Sequence, residues 1–145
     1  MKFREYDHPA DIAMEVTGRD YDELFTNALE SLYFILFDKP VSCKKDDPNL
    51  FEVNSFGGFD YEEILIGFLS EMHYQCLVKK QMAFITAPIQ FISRVDSVRM
   101  DARIKYELLE EKGLEIVTEV KAVTFHNVHI NKKGRSFQVR LIFDI

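Results

Sequence analysis

Asp7, His8 and Asp11, in the stretch "DHPAD", bring two carboxylates and an imidazole close together near the start of the chain. Two readings follow. In one, Asp7 or Asp11 bonds nearby backbone N–H groups in an Asx-type turn. In the other, the carboxylates are half of a hard-cation site, because Mg2+ and Ca2+ take oxygen ligands from carboxylates, carbonyls and water. A transition-metal site is poorly served, since no second imidazole stands at a suitable spacing. "HNVH" (126–129) does not supply one, because strand positions three apart point to opposite faces.

The far end of the chain carries another acid. "NKKG" (131–134) reads as a hairpin turn between two strand-like runs. A turn centred on Lys132–Lys133 sets Asp144 opposite Lys121. It also sets Ala122, Thr124, His126 and Val128 against Phe143, Leu141, Val139 and Phe137 as a core face. A slip of one residue, which a bulged turn at Gly134 would cause, exchanges the faces but keeps Lys121 and Asp144 neighbours. On spacing alone the pair is an ordinary cross-strand ion pair, worth ~0–1 kcal/mol if exposed, or a part of a site.

Other chemistries find no motif. There is no G-x-x-x-x-G-K-[ST], "FGGF" is no dinucleotide fingerprint, and no G-x-S-x-G elbow occurs. Cys43 and Cys76 stand far apart without a C-x-x-C, which excludes a zinc ribbon or thioredoxin motif and suits a reducing compartment.

The elements that must position these residues follow from periodicity. Phe3 to Tyr6 is a short extended start, and "DIAMEVTG" alternates Ile12, Met14 and Val16 as a half-buried strand. Asp20 and Glu23 have capping-box spacing ahead of a helix in "DYDELFTNALESLYFILFD". "VSCKKDDPN" holds a short strand and a turn. "LFEVNSF" is a strand that "GG" at 57–58 should break. Asp60 and Glu63 repeat the cap before a second helix, "YEEILIGFLSEMHYQCLVKK", with Lys79 and Lys80 in its last turn. From Met82 onward the period is two. "MAFIT" and "IQFIS" are short strands, and "VRMDARIKYEL" buries Val98, Met100, Ala102, Ile104, Tyr106 and Leu108 on one face. "LEEKG" is a turn, "LEIVTEVKAVTFHNVHI" a long strand, and "SFQVRLIFDI" the last strand. The expected fold is α+β: a single domain, residues 1–145, with a mostly antiparallel sheet and two main amphipathic helices packed against it.

Composition agrees with this. The chain has 145 residues, 47% of them hydrophobic, which suffices for one core. Its formal net charge of −6 lacks the basic footprint of a nucleic-acid binder. The start has no apolar signal-like region, and no window of about 18 apolar residues occurs. The expectation is a soluble cytoplasmic protein with no membrane role.

Three separated segments carry a resemblance that spans nearly the whole chain. "DHPADIAMEV" resembles the opening signature of the archeases, Asp-His-Thr-Ala-Asp followed by an alternating strand. "EVKAVTFHNVHI" resembles their Lys-Ala-Val-Thr segment, and "VRLIFDI" their terminal strand. Pro9 departs from the usual Thr, so a ligand role for that side chain does not carry over. "SEMHYQCL" likewise departs from a more apolar run in the second helix.

The resemblance implies an accessory protein of an RNA-splicing ligase, not an enzyme in its own right. Archeases assist the ligase that joins RNA 3′-phosphate and 5′-hydroxyl ends in tRNA splicing. They promote guanylylation of the ligase by GTP and its multiple turnover, so tRNA is met only indirectly. Some members are linked to a tRNA methyltransferase, as a chaperone-like partner. The family's metal site maps onto Asp11, Asp144 and the main-chain carbonyl or carboxylate of Ile145. A divalent cation (Ca2+, Mg2+ or Mn2+) is thereby expected. The essential lysine maps onto Lys121, with Asp7 and His8 in a supporting turn. The alternatives are a stand-alone metal-dependent hydrolase using Asp11 and Asp144 with His8 as base, and a binding module whose acidic corner is only structural.

Overall fold

The computed structural model describes residues 2–6, 11–47, 49 and 51–145. In chain order the elements are β1 (Phe3–Tyr6), β2 (Asp11–Gly18), α1 (Tyr21–Phe37), β3 (Glu52–Gly58), α2 (Tyr61–Leu77), β4 (Gln81–Ile85), β5 (Gln90–Ser93), β6 (Val98–Leu108), α3 (Leu109–Lys112), β7 (Ala122–Val123), β8 (Ile130–Lys133) and β9 (Ser136–Asp144). The class is α+β, as expected, and every pairing between named strands is antiparallel. The strands divide between two sheets, and the chain between two compact units: Met1–Val41 with Ile116–Ile145, and Ser42–Glu115. No helix among the described residues is long and apolar enough to cross a membrane.

The first unit is built on the order β1-β2-β9-β7, with β8 also pairing β9. β2 and β9 pair along the whole of β2, from Asp11↔Asp144 to Gly18↔Phe137. Met14 opposite Leu141 and Val16 opposite Val139 are buried, which locks the register, since a one-residue slip would turn them outward. Gly18 ends β2 directly beneath the start of α1. A Cβ there would lie 2.4 Å from the Leu24 backbone nitrogen.

The predicted cap of α1 forms. Asp20 is extended and its Oδ1 accepts from the Glu23 N–H at 2.8 Å, while the Arg19 N–H donates to Glu23 Oε1 at 3.2 Å. Leu24, Phe25, Ala28, Leu32 and Leu36 are buried, but so are Thr26, Asn27, Glu30 and Ser31. α1 is thus enclosed on more sides than an amphipathic stripe implies. Its polar groups are matched inside the unit: Asn27 Nδ2 donates to Thr17 O at 2.8 Å, and Lys2 Nζ to Glu30 Oε1 at 2.7 Å.

The expected long strand across residues 114–130 does not form. Val117 and Thr118 donate their N–H groups to Leu36 O, at 2.7 and 3.3 Å, so this stretch serves the carbonyl-rich end of α1. Only β7 and β8 then join β9. β8 pairs Ile130↔Val139 and Lys133↔Ser136, so the hairpin turns at Gly134–Arg135, not at Lys132–Lys133. Gly134 has the left-handed φ of 62° that this turn requires. A strand continuing in that register would put Phe125 opposite Asp144. Ala122 stands there instead, and residues 125–129 leave the sheet to absorb the difference, with Asn127 at φ 54°. The faces are exchanged accordingly: Val123 is buried opposite Phe143, while Ala122 and His126 are exposed.

The second unit has the order β3-β6-β4, with β5 also on β6. Val98, Met100, Ala102 and Ile104 are buried on β6, as are Ile64, Leu65, Phe68, Leu69 and Met72 on α2. Tyr106 is half-buried and Leu108 exposed, so the predicted apolar face ends early. Asp60 caps α2 as predicted, accepting from the Glu63 N–H at 2.8 Å. α2 ends at Leu77, which leaves Lys79 and Lys80 beyond its last turn. β3 runs through Gly57 and Gly58 instead of breaking there, because both stay paired to β6. The strand expected in "VSCKKDDPN" reduces to one parallel bridge, Lys44↔Ile85, and "LEEKG" closes as α3 on Gly113 at φ 65°. Cys43 and Cys76 are buried thiols, and burial pushes the latter's pKa up to about 12.

Two glycines give opposite expected outcomes. Gly18→Ala should cost about 1–3 kcal/mol, because the added carbon meets helix backbone that cannot retreat. Gly67→Ala, on an exposed turn of α2 with open space at its Cβ, should add about 0.5–1 kcal/mol. Urea unfolding of the two variants checks both signs.

Acid should weaken the second unit. The Lys45 ammonium holds Glu107 below the usual carboxylate range, and Lys105 with the Asn49 N–H does the same for Asp47. A depressed folded-state pKa contributes stability above the unfolded value and loses it as pH falls through the folded one. The urea midpoint should therefore drop below about pH 4, and Lys45→Met should flatten that drop.

Candidate functional site

The register of the first sheet brings together the two acids that the sequence placed at opposite ends of the chain. Asp11 on β2 and Asp144 on β9 are directly opposed, and Ala122 on β7 faces Asp144 from the other side. Opposed residues share a face with Cβ atoms about 4.5–5.5 Å apart. Side chains alternate along β2, and Gly18 packs on α1, so the odd-numbered Asp11 projects from the face turned away from that helix. Both acids are half-buried. Like charges placed opposite one another weaken a sheet unless a counter-charge offsets them.

Lys121 is tied to the same spot by its backbone. Its N–H donates to Asp144 O at 2.7 Å, and the residue is exposed. Lys121 is therefore a neighbour of Asp144 but not its register partner. That is the outcome of a one-residue slip. Ile145 follows directly and is 42% exposed. Asp7 and His8 lie outside the described residues.

These groups suit a hard cation. Two carboxylates offer oxygen donors, and main-chain oxygens at Asp144 and Ile145 stand beside them. The Asp144 carbonyl keeps a second lone pair after accepting from Lys121. An all-oxygen set matches Ca2+, Mg2+ or Mn2+ better than softer metals. Among the described residues, no group of three or more His, Cys, Asp or Glu is placed to hold an ion, so main-chain oxygen or water would have to complete the shell. His126 and His129 are exposed and lie outside β7 and β8, and the His126 ring meets the Asn127 amide at 3.2 Å.

One neighbour escaped the sequence reading. Glu15 opposes Arg140 on the same face as the acids, and Arg4 reaches Glu15 at 3.3 Å. Alternation in "SFQVRLIFDI" puts Arg140, Ile142 and Asp144 on one face, which was the available signal. The acids thus sit at the end of a row whose interior already pairs its charges.

The chain was compared with known proteins. The family described as Archease protein family (MTH1598/TM1083) matches residues 3–145. A protein archease of Methanosarcina barkeri is 27% identical over 152 residues, which cover 99% of this chain and 96% of that protein. One from Thermococcus kodakarensis is 29% identical over 134 residues, 90% of this chain and 89% of the relative. The solution structure of Methanobacterium thermoautotrophicum protein 1598 superposes with a TM-score of 0.73 at 21% identity, covering 99% of both chains. The crystal structure of a Thermotoga maritima archease, described as a possible chaperone, gives 0.55 at 19% identity, over 98% of this chain and 96% of that one. With the family match running from Phe3 to the last residue, and the fold shared, this chain belongs to the archease family.

Proposed function

We propose that this chain is an accessory protein of an RNA-splicing ligase, promoting the ligase's guanylylation by GTP and its repeated turnover in tRNA splicing. The observation that carries the reading is the direct opposition of Asp11 and Asp144, with Lys121 anchored beside them. The description of the Thermotoga maritima relative as a possible chaperone supports a role exercised on a partner protein. tRNA is then reached only through that partner.

In this reading Asp11, Asp144 and a main-chain oxygen of Ile145 hold a divalent cation. When bound, the ion supplies positive charge for nucleotide phosphate oxygens. The β2–β9 ladder fixes the two carboxylates, so little reorganisation is needed when they meet a ligand. Lys121 is held beside Asp144 by its backbone bond, and in this reading its exposed ammonium meets a phosphate or a partner's acid.

The test is a guanylylation time course with purified ligase. Asp11→Asn, Asp144→Asn and Lys121→Ala should each fold and yet lower the stimulated rate about tenfold or more. Wild-type stimulation by all three would end the reading. Phosphoester turnover by this chain without ligase would favour the metal-dependent hydrolase, and selective stabilisation of a tRNA methyltransferase would favour that partner.

Cation binding has a separate readout. Saturating Ca2+ or Mn2+ should raise the melting temperature of wild type, by about 2.7 kcal/mol of added stability at a hundredfold excess over Kd. Asp144→Asn should abolish that rise. In chelator it should melt at or above wild type, because one of two opposed charges is gone. Differential scanning calorimetry in both buffers checks both outcomes.

A further inference from the structure

The second unit carries an edge with a different character. Among the described residues β3 pairs only with β6, and no other backbone hydrogen bond leaves Glu52–Gly58. Val53 is 60% exposed, and Ser55 and Gly57 are exposed beside it. The strand "EVNSFGG" has neither the proline nor the lysine that usually guards such an edge.

Gly57 is the second observation. Its φ lies outside the left-handed region and nothing stands within 4 Å of an added Cβ, so neither backbone nor packing demands glycine. Glycine inside a strand costs stability and commonly marks close approach by a ligand or another backbone. An open cleft of about 670 Å3 lies over it, lined by Ser55, Gly57, Arg94, Ser97 and Arg99. Arg99 stands opposite Gly57 in register, and Ile92 flanks Arg99 from β5. Arg94 enters no ion pair among the described residues. Arg99 Nε bonds Asp101 at 3.0 Å, which leaves its guanidinium further donors. In a chain of net charge −6, two guanidiniums over a bare strand form a local set of donors for a carboxylate.

The third observation lies on the other face. Asn54 is three positions before Gly57 and so projects oppositely. It lines a second cavity of about 630 Å3 with Gln75, Gln81 and Tyr106. Its Oδ1 accepts from Tyr106 at 3.3 Å, but its Nδ2 is buried without a partner and lacks an acceptor. Glu52, Lys79 and Lys105 also line this cavity, so charges of both signs are already present, and a neutral amide supplies the acceptor that Asn54 Nδ2 lacks.

We propose that β3 docks an extended segment of a partner protein. The segment adds as an antiparallel strand, with a carboxylate side chain lying over Gly57 against Arg94 and Arg99. Three residues later an amide side chain turns into the other cavity and accepts from Asn54. Main-chain bonds along β3 supply affinity, and the two cavities, on opposite faces, select the side chains. The acidic site takes no part, so the two proposals stand or fall separately.

The probe is a fluorescein-labelled peptide of about ten residues, alternating valine and threonine, with glutamate at the fourth position and glutamine at the seventh. Binding to the full chain is read by anisotropy. Changing the glutamate to glutamine should weaken binding about tenfold or more, as should the double variant Arg94→Ala/Arg99→Ala. Gly57→Leu should do the same while its melting temperature holds or rises, because the leucine enters open space. Hydrogen exchange should slow at β3 amides on binding. No binding up to about 1 mM, equal affinity for both peptides, undiminished binding to Gly57→Leu, or protection away from β3 would each overturn the proposal. So would a dimer in sedimentation that Gly57→Leu abolishes, since a second copy would then own the edge.

Discussion

The antiparallel ladder between β2 and β9 governs the first unit. It joins a strand near the beginning of the chain to the strand at its end, and it does so in a single register. Met14 against Leu141 and Val16 against Val139 make that register costly to change. The opposition of Asp11 and Asp144 is a consequence: the apolar row on one face dictates which polar residues meet on the other. A pair of like charges is placed by hydrophobic packing that has no use for it. Repulsion within such a pair is a cost that the ladder helps to offset, and a bound cation would offset it further.

The two units share a device. In each, an aspartate with extended backbone ends a loop and accepts the N–H of a glutamate three residues on, starting a helix that packs on its sheet. They use their sheets differently. In the first, α1 is enclosed nearly all round and the sheet's other face carries the acids. In the second, α2 covers one face and leaves β3 as an open edge with a bare glycine. Membership of the archease family gives the fold, and the character of the two surfaces belongs to particular side chains.

Of the opening "DHPAD", Asp11 meets Asp144 across the sheet, and Asp7 and His8 fall outside the described residues. The prediction of the last hairpin was off by its turn. Because Gly134 closes the hairpin at Gly134–Arg135, residues 125–129 must loop out to bring Ala122 and Lys121 back to Asp144. Lys121 reached the acid even so, because its main chain bonds there whichever face its side chain takes.

Much of this was legible locally. Caps, helix lengths and the alternation of β2 and β6 rest on neighbours a few residues apart, whose geometry is set by backbone periodicity, whereas Asp11 with Asp144 was named only through the family resemblance. What the chain alone could not reveal turns on partners far away. Residues 114–121 have a strand's composition, yet the N–H groups of Val117 and Thr118 are claimed by Leu36 at the end of a distant helix. Gly57 and Gly58 look like a break, yet pairing with β6 holds them in the strand. The split of strands into two sheets, and the free edge of β3, likewise follow from which hydrogen-bonding groups find one another in space. Alternation marks a strand but not its neighbour, so those choices are made in three dimensions.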